Sequence, residues 1–146
     1  MFEVGNLLYF TQFIFKNGNT PKPKYFVVLG VVDDEVVLAS LPTSRDHVPA
    51  KYGKMSGCIN DNVERFNVFK FNAQIPITET DFSFPKDTFI YGEQLDTYPI
   101  EELLEWNRKR QTEILSKGKL KEEFFEALKN CLRNSTKVKR RYKHYL

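Results

Sequence analysis

The stretch YFVVLGVV-DDE-VVLASL, running from Tyr25 to Leu41, decides how this chain folds. Tyr25 to Val32 is wholly apolar, eight residues long and β-branched, which suits a strand buried on both faces better than a helix. Val36 to Leu41 repeats that character. Asp33, Asp34 and Glu35 lie between the two runs, so a tight hairpin is expected. Pro42 ends the second strand because it has no amide proton for a ladder.

Working outward, Leu7 to Phe15 is a third strand, closed by the turn signal Asn17-Gly18-Asn19 and followed by Lys22-Pro23-Lys24. Thr43 to Asp61 reads as a long loop with a short strand near Met55 to Ile59. Val63 to Phe71 alternates and is a further strand, as is Phe89 to Leu95. After Pro99 the period becomes helical. Ile100, Leu103 and Leu104 begin a stripe that resumes at Ile114 and Leu115, with Thr97 as N-cap and Gly118 as stop. A second helix from about Leu120 carries the stripe Leu120, Phe124, Leu128, Cys131 and Leu132. Asn107 and Gln111 interrupt the first stripe, marking a partner contact or an exposed middle. Many short strands followed by helices predict an α+β fold, a small antiparallel β-barrel with C-terminal α-helices. One domain spans 1–146: a barrel part over 1–97, a helical part over 98–134 and a basic tail over 135–146.

Charge sharpens this division. The 146 residues carry a net charge of +3, but all 19 acidic residues lie at or before Glu126. The last 18 residues hold seven Lys or Arg and no acid; the first 128 stand at −4. Such an end, with Tyr142 and Tyr145 among the cations, suits nucleic acid or is simply a frayed terminus. Cys58 and Cys131 form no CxxC pattern, so neither a disulfide framework nor a zinc site is expected, and a reducing cytoplasm is. The N-terminus has no basic region of the secretory kind, and the longest apolar run is too short to span a bilayer.

The densest polar segment is LPTSRDHVP, Leu41 to Pro49. Thr43, Ser44, Arg45, Asp46 and His47 follow a strand end, where sites are often built, though most of these residues are also ordinary turn formers. A hairpin turning at 33–35 would bring Lys24 opposite position 44. Lys24, the two hydroxyls, Arg45 and His47 would then share one patch suited to a phosphodiester: cations neutralise phosphoryl charge and hydroxyls position it. No carboxylate cluster accompanies them, so no metal and no cofactor is expected. His47 titrates near neutrality and is a candidate acid or base, or else a loop histidine bonded to backbone. Lys22, Lys51, Tyr52, Lys54 and Lys86 offer cations and a ring for an RNA track, joined by Arg140 and Arg141 of the tail; loop lysines are also commonly just solvated.

Gly5-Asn6-Leu7, Lys22 to Leu29 and Leu38 to Ser44 together resemble the barrel half of MazF/PemK-like toxins. Pro23-Lys24 before the apolar strand and Thr43-Ser44 after the next are similar to the diverged ToxN-type toxins. The likeness spans residues 5–47 by motif. It departs at Asp46, where ToxN-like sites place a lysine, and at Lys24 or Lys22, where MazF-like sites favour arginine. It implies an SH3-like barrel and a metal-independent endoribonuclease acting on single-stranded RNA. The ribose 2′-hydroxyl would attack its own phosphate and leave a 2′,3′-cyclic phosphate. Lys24 and Arg45 would stabilise the pentacovalent charge, and Thr43 and Ser44 would orient the phosphate or relay a proton. An antitoxin, protein or RNA, would be the partner, and MazF-like toxins suggest a homodimer. The alternative is a non-catalytic SH3-like module binding RNA or protein through the same face; a gyrase-directed toxin would share the barrel.

Overall fold

The hairpin forms where the sequence requires it. In the computed structural model, which describes residues 1–41, 52 and 54–146, β2 (Lys22–Val32) and β3 (Glu35–Leu41) pair antiparallel around Asp33-Asp34. Asp33 takes φ 54°, a left-handed conformation that aspartate tolerates in two-residue turns. β1 (Asn6–Phe13) adds to the free side of β2. β7 (Leu95–Pro99) and β8 (Ile114–Lys119) close the two edges, giving the order β7-β3-β2-β1-β8. A second antiparallel sheet holds β4 (Gly57–Asp61), β5 (Phe66–Phe71) and β6 (Thr88–Tyr91) in that order. Three helices complete the described residues: α1 (Ile100–Arg108), α2 (Glu122–Arg133) and the short α3 (Arg140–Lys143). The fold is α+β, and among the described residues the two sheets are separate ladders.

An apolar strand with no polar phase must be covered twice, and it is. Val27, Leu29, Val37, Ala39 and Leu41 face Phe69, Phe71 and Ile90 of the second sheet and Leu128 and Leu132 of α2. Phe26, Val28, Val36 and Leu38 face the other way, under Leu103 and Trp106 of α1. Phe13 anchors that second layer, its ring 4.5 Å from Phe26, 5.3 Å from Tyr98 and 5.4 Å from Trp106. The Tyr98 and Trp106 pairs are edge-to-face, and aromatic pairs of this kind add about 0.5–1.5 kcal/mol each beyond area burial.

Four expectations are corrected. The expected helical part over 98–134 contains a strand: α1 ends at Arg108, Arg110 turns the chain with φ 59°, and Ile114–Lys119 pairs with β1. Ile114 and Leu115 fit either period locally, and the open edge of β1 decides. Thr97 accordingly lies in β7 rather than capping α1, whose N-cap is Pro99. Gly118 does not stop a helix; it sits at φ 98° where a Cβ would meet the Thr80 hydroxyl at 2.6 Å. The Phe89–Leu95 candidate divides at Gly92–Gln94 into β6 and β7.

The tail is docked rather than frayed. Ser135, Val138 and Tyr142 are buried, the latter two in the core between the sheets, and Tyr145 and Leu146 pack against that core. Finally, Cys58 on β4 and Cys131 on α2 are joined as a disulfide, with Cα atoms 5.4 Å apart. The unpaired-cysteine reading is overturned, and with it the reason for expecting a reducing compartment. The spacing of 73 residues gave no hint, because the two meet only when α2 lies on the second sheet. Among the described residues no helix is long and apolar enough to cross a membrane.

Reducing the disulfide should cost about 2–4 kcal/mol, since it closes a long loop in the unfolded chain; urea unfolding with and without reductant measures this. Gly30 meets Tyr145 so closely that an added Cβ would lie 2.8 Å from the ring. Gly30→Ala should therefore destabilise by about 1–3 kcal/mol, and should cost little in a Tyr145→Gly background, which removes the close atoms.

Candidate functional site

The first residues of β2 and the last of β3 meet at one end of the large sheet. The register there differs from the expected one. Tyr25 pairs with Leu41 and Phe26 with Ser40, whereas Lys24 opposite 44 would have required Tyr25 opposite 43. A register shift between Val28 and Gly30 contributes to the difference. Thr43, Ser44, Arg45, His47 and Lys51 lie outside the described residues, so the expected patch is represented here by Lys24.

Lys24 lines a groove of about 230 Å³ on the α1 side of the sheet. Its ammonium stands 5.4 Å from the centre of the Phe15 ring, and that of Lys22 stands 5.9 Å from the same ring. Phe13, Phe26 and Tyr98 supply apolar walls, and Glu93 and Asp96 bring carboxylates to the groove. Asp96 is engaged by Lys16 at 3.1 Å, while Lys16 also lies 4.3 Å over the Tyr98 ring. Lys24 has no carboxylate partner among the described residues. Burial pushes its pKa below the usual lysine value, and the charge of Lys22 adds to the effect. Burial, then the charge of Asp96, raises the Tyr98 phenol well above its usual range, so that it stays protonated.

Ser40 completes the groove and was not among the expected site residues. It is 9% exposed, and its Oγ has no hydrogen-bond partner among the described residues. A buried hydroxyl left unpaired costs about 1–3 kcal/mol. Ser40 lines the same groove as Lys24, with its Oγ shielded from solvent beneath the groove surface, so a buried hydroxyl without a partner among the described residues lies next to the lysine. Its sequence signal was slight: one hydroxyl in VVLASL, on the same phase as Leu38 and across the ladder from Phe26. A cation with a hydroxyl donor can hold two oxygens of one phosphoryl group. Among the described residues no three His, Cys, Asp or Glu side chains gather as metal ligands would.

The other expected contacts are scattered. Lys54 and Lys86 are exposed. Tyr52 is buried, donates from its hydroxyl to Asp61 Oδ2 at 2.6 Å and stacks on Phe66 at 4.8 Å. Its ring belongs to a small core with Ile59, Val68 and Phe89 and is not offered to a base. Arg140 and Arg141 are exposed, but the tail that carries them docks where Tyr145 meets Gly30. That point is six residues along β2 from Lys24, about 20 Å at strand rise, and on the opposite face of the sheet. The tail's charge thus lends no support to chemistry at Lys24. No family model, no curated protein and no solved structure matches the chain.

Because the folded pKa of Lys24 lies below its unfolded value, the native state releases the proton first as pH rises. The unfolded state then binds more protons, so stability should increase through that alkaline window, up to the ordinary lysine value. The wild-type protein should gain stability relative to Lys24→Met over this range; denaturant titrations at stepped pH check the sign.

Proposed function

We propose that the chain is a toxin-type, metal-independent endoribonuclease whose reacting phosphate sits in the Lys24–Ser40 groove. The observation that carries this reading is that one groove is lined by a half-buried lysine without a carboxylate partner and by a buried hydroxyl without a hydrogen-bond partner, both among the described residues. In this reading the two antiparallel sheets represent an SH3-like barrel of the MazF/PemK and ToxN kind, extended by α1 and α2. The 2′-hydroxyl of one nucleotide attacks the adjacent phosphorus, and the 5′-oxygen of the next nucleotide leaves. Lys24 offsets the charge that builds on the phosphoryl oxygens, and the Ser40 hydroxyl donates to one of them. Glu93, at the groove and without an ion-pair partner among the described residues, would take the 2′ proton in this reading, a role the sequence also offers to His47. Thr43, Ser44 and Arg45 remain sequence-based candidates for orienting the same phosphate. An antitoxin, protein or RNA, would restrain the activity by covering this end of the sheet.

The two carboxylates at the groove favour a second reading, in which the site binds RNA or protein without cutting. Incubating single-stranded RNA with the protein in excess EDTA separates the two. Cleavage to 2′,3′-cyclic ends is expected, falling at least about a hundredfold in Lys24→Ala, as for loss of a transition-state donor, and less in Ser40→Ala. Binding without cleavage in the wild type supports the second reading, and cleavage that stops with EDTA overturns the first.

A further inference from the structure

Directly behind Lys24, on the other face of the sheet, lies an aromatic cluster that the proposed chemistry does not use. Tyr9 and Tyr25 are register partners with ring centroids 4.7 Å apart, and both are half-buried. Tyr25 is held from behind by Phe82 at 5.8 Å and Phe84 at 5.1 Å. Lys117 of β8 extends over this cluster, its ammonium 5.6 Å from the Tyr9 ring and 5.7 Å from that of Phe82. Its neighbours on the same stretch are neutralised: Lys119 pairs with Glu3 at 3.0 Å and Lys121 with Asp81 at 3.7 Å. Lys117 has no carboxylate partner among the described residues. Flat rings left half-exposed forgo hydrophobic burial, and a cation held over them by π-attraction keeps its charge available to an anion.

We propose that Tyr9, Tyr25 and Lys117 form a stacking platform for an unpaired nucleobase, with Lys117 on the adjoining phosphate. Charge and shape together select the occupant. Rings backed by other rings present a stiff face to a base, and the uncompensated ammonium answers the backbone. Tyr25 follows Lys24 in the chain, so one strand passing over the end of the sheet meets the groove on one face and the platform on the other. The proposal rests on the RNA reading of that groove and adds where the neighbouring nucleotide lies.

A short fluorescein-labelled 2′-O-methyl oligoribonucleotide, which lacks the attacking hydroxyl, reports binding without cleavage. Its affinity by anisotropy should fall roughly tenfold in Tyr9→Leu, the loss of one stacked base. Lys117→Ala should lower the salt dependence by about one counterion. The same sequence as a duplex should be indifferent to Tyr9. Single-strand binding unchanged in both variants overturns the platform, as does a wild type that does not bind. Should Tyr9→Leu fail to fold, Lys117→Ala decides, since that side chain makes no ion pair among the described residues. Cleavage of unmodified RNA is scored in parallel. Cutting that depends on Lys24 while binding ignores Tyr9 and Lys117 removes the platform alone. Binding that depends on Tyr9 with no cutting removes the nuclease reading alone.

Discussion

A hairpin with no polar face cannot rest on the surface. Every side chain from Phe26 to Leu29 is buried, and so is every one from Val36 to Leu41. Each face of β2 and β3 therefore needs its own cover, and the rest of the chain is arranged to supply it. α1 and the Phe13 cluster take one side; the second sheet, α2 and the docked tail take the other. At about 25 cal/mol per Å² of apolar surface removed from water, this double burial outweighs local preferences elsewhere. It explains why the basic end lies down on the core despite its charge: Val138, Tyr142 and Tyr145 are the apolar side chains that finish the second cover.

The site inherits its properties from the same geometry. At the end of the sheet the cover thins, and side chains on the α1 face meet solvent through a groove rather than a packed layer. A lysine there is desolvated enough to lose part of its charge preference and exposed enough to meet a ligand. Keeping Lys24 and Ser40 in such a place costs stability, as polar groups at working sites generally do. The tail shows the converse: cations such as Arg140 and Arg141 stay exposed, tied to an apolar anchor, far from the groove.

What could be read from the residues follows from how local the determinants are. β1, β2 and β3 were legible because apolar runs and turn residues encode them within a few positions. α2 was legible because its stripe at Leu128, Cys131 and Leu132 repeats cleanly. Ile114–Lys119 was not, since two adjacent apolar residues satisfy either period and the choice belongs to β1, a hundred residues earlier. Cys58 and Cys131 meet through tertiary packing alone. At the site, Lys24 stood out as a cation ahead of an apolar strand. Ser40 did not, because a hydroxyl inside a hydrophobic run carries meaning only once its lack of a partner among the described residues is seen. Tyr52 misled for the opposite reason: among lysines it looked like a ring for stacking, and a hydrogen bond to Asp61 places it inside.

The strand order also bears on how the chain is made. The β1–β2–β3 meander is complete by residue 41, yet its outer edges are closed only by β7 and β8. A chain emerging from the ribosome would thus carry a paired, strongly apolar three-strand ribbon with both edges open until residues 95–119 have followed. During that interval the ribbon is a template for strands from other nascent chains. The last strand to form is the one that makes the first strand safe.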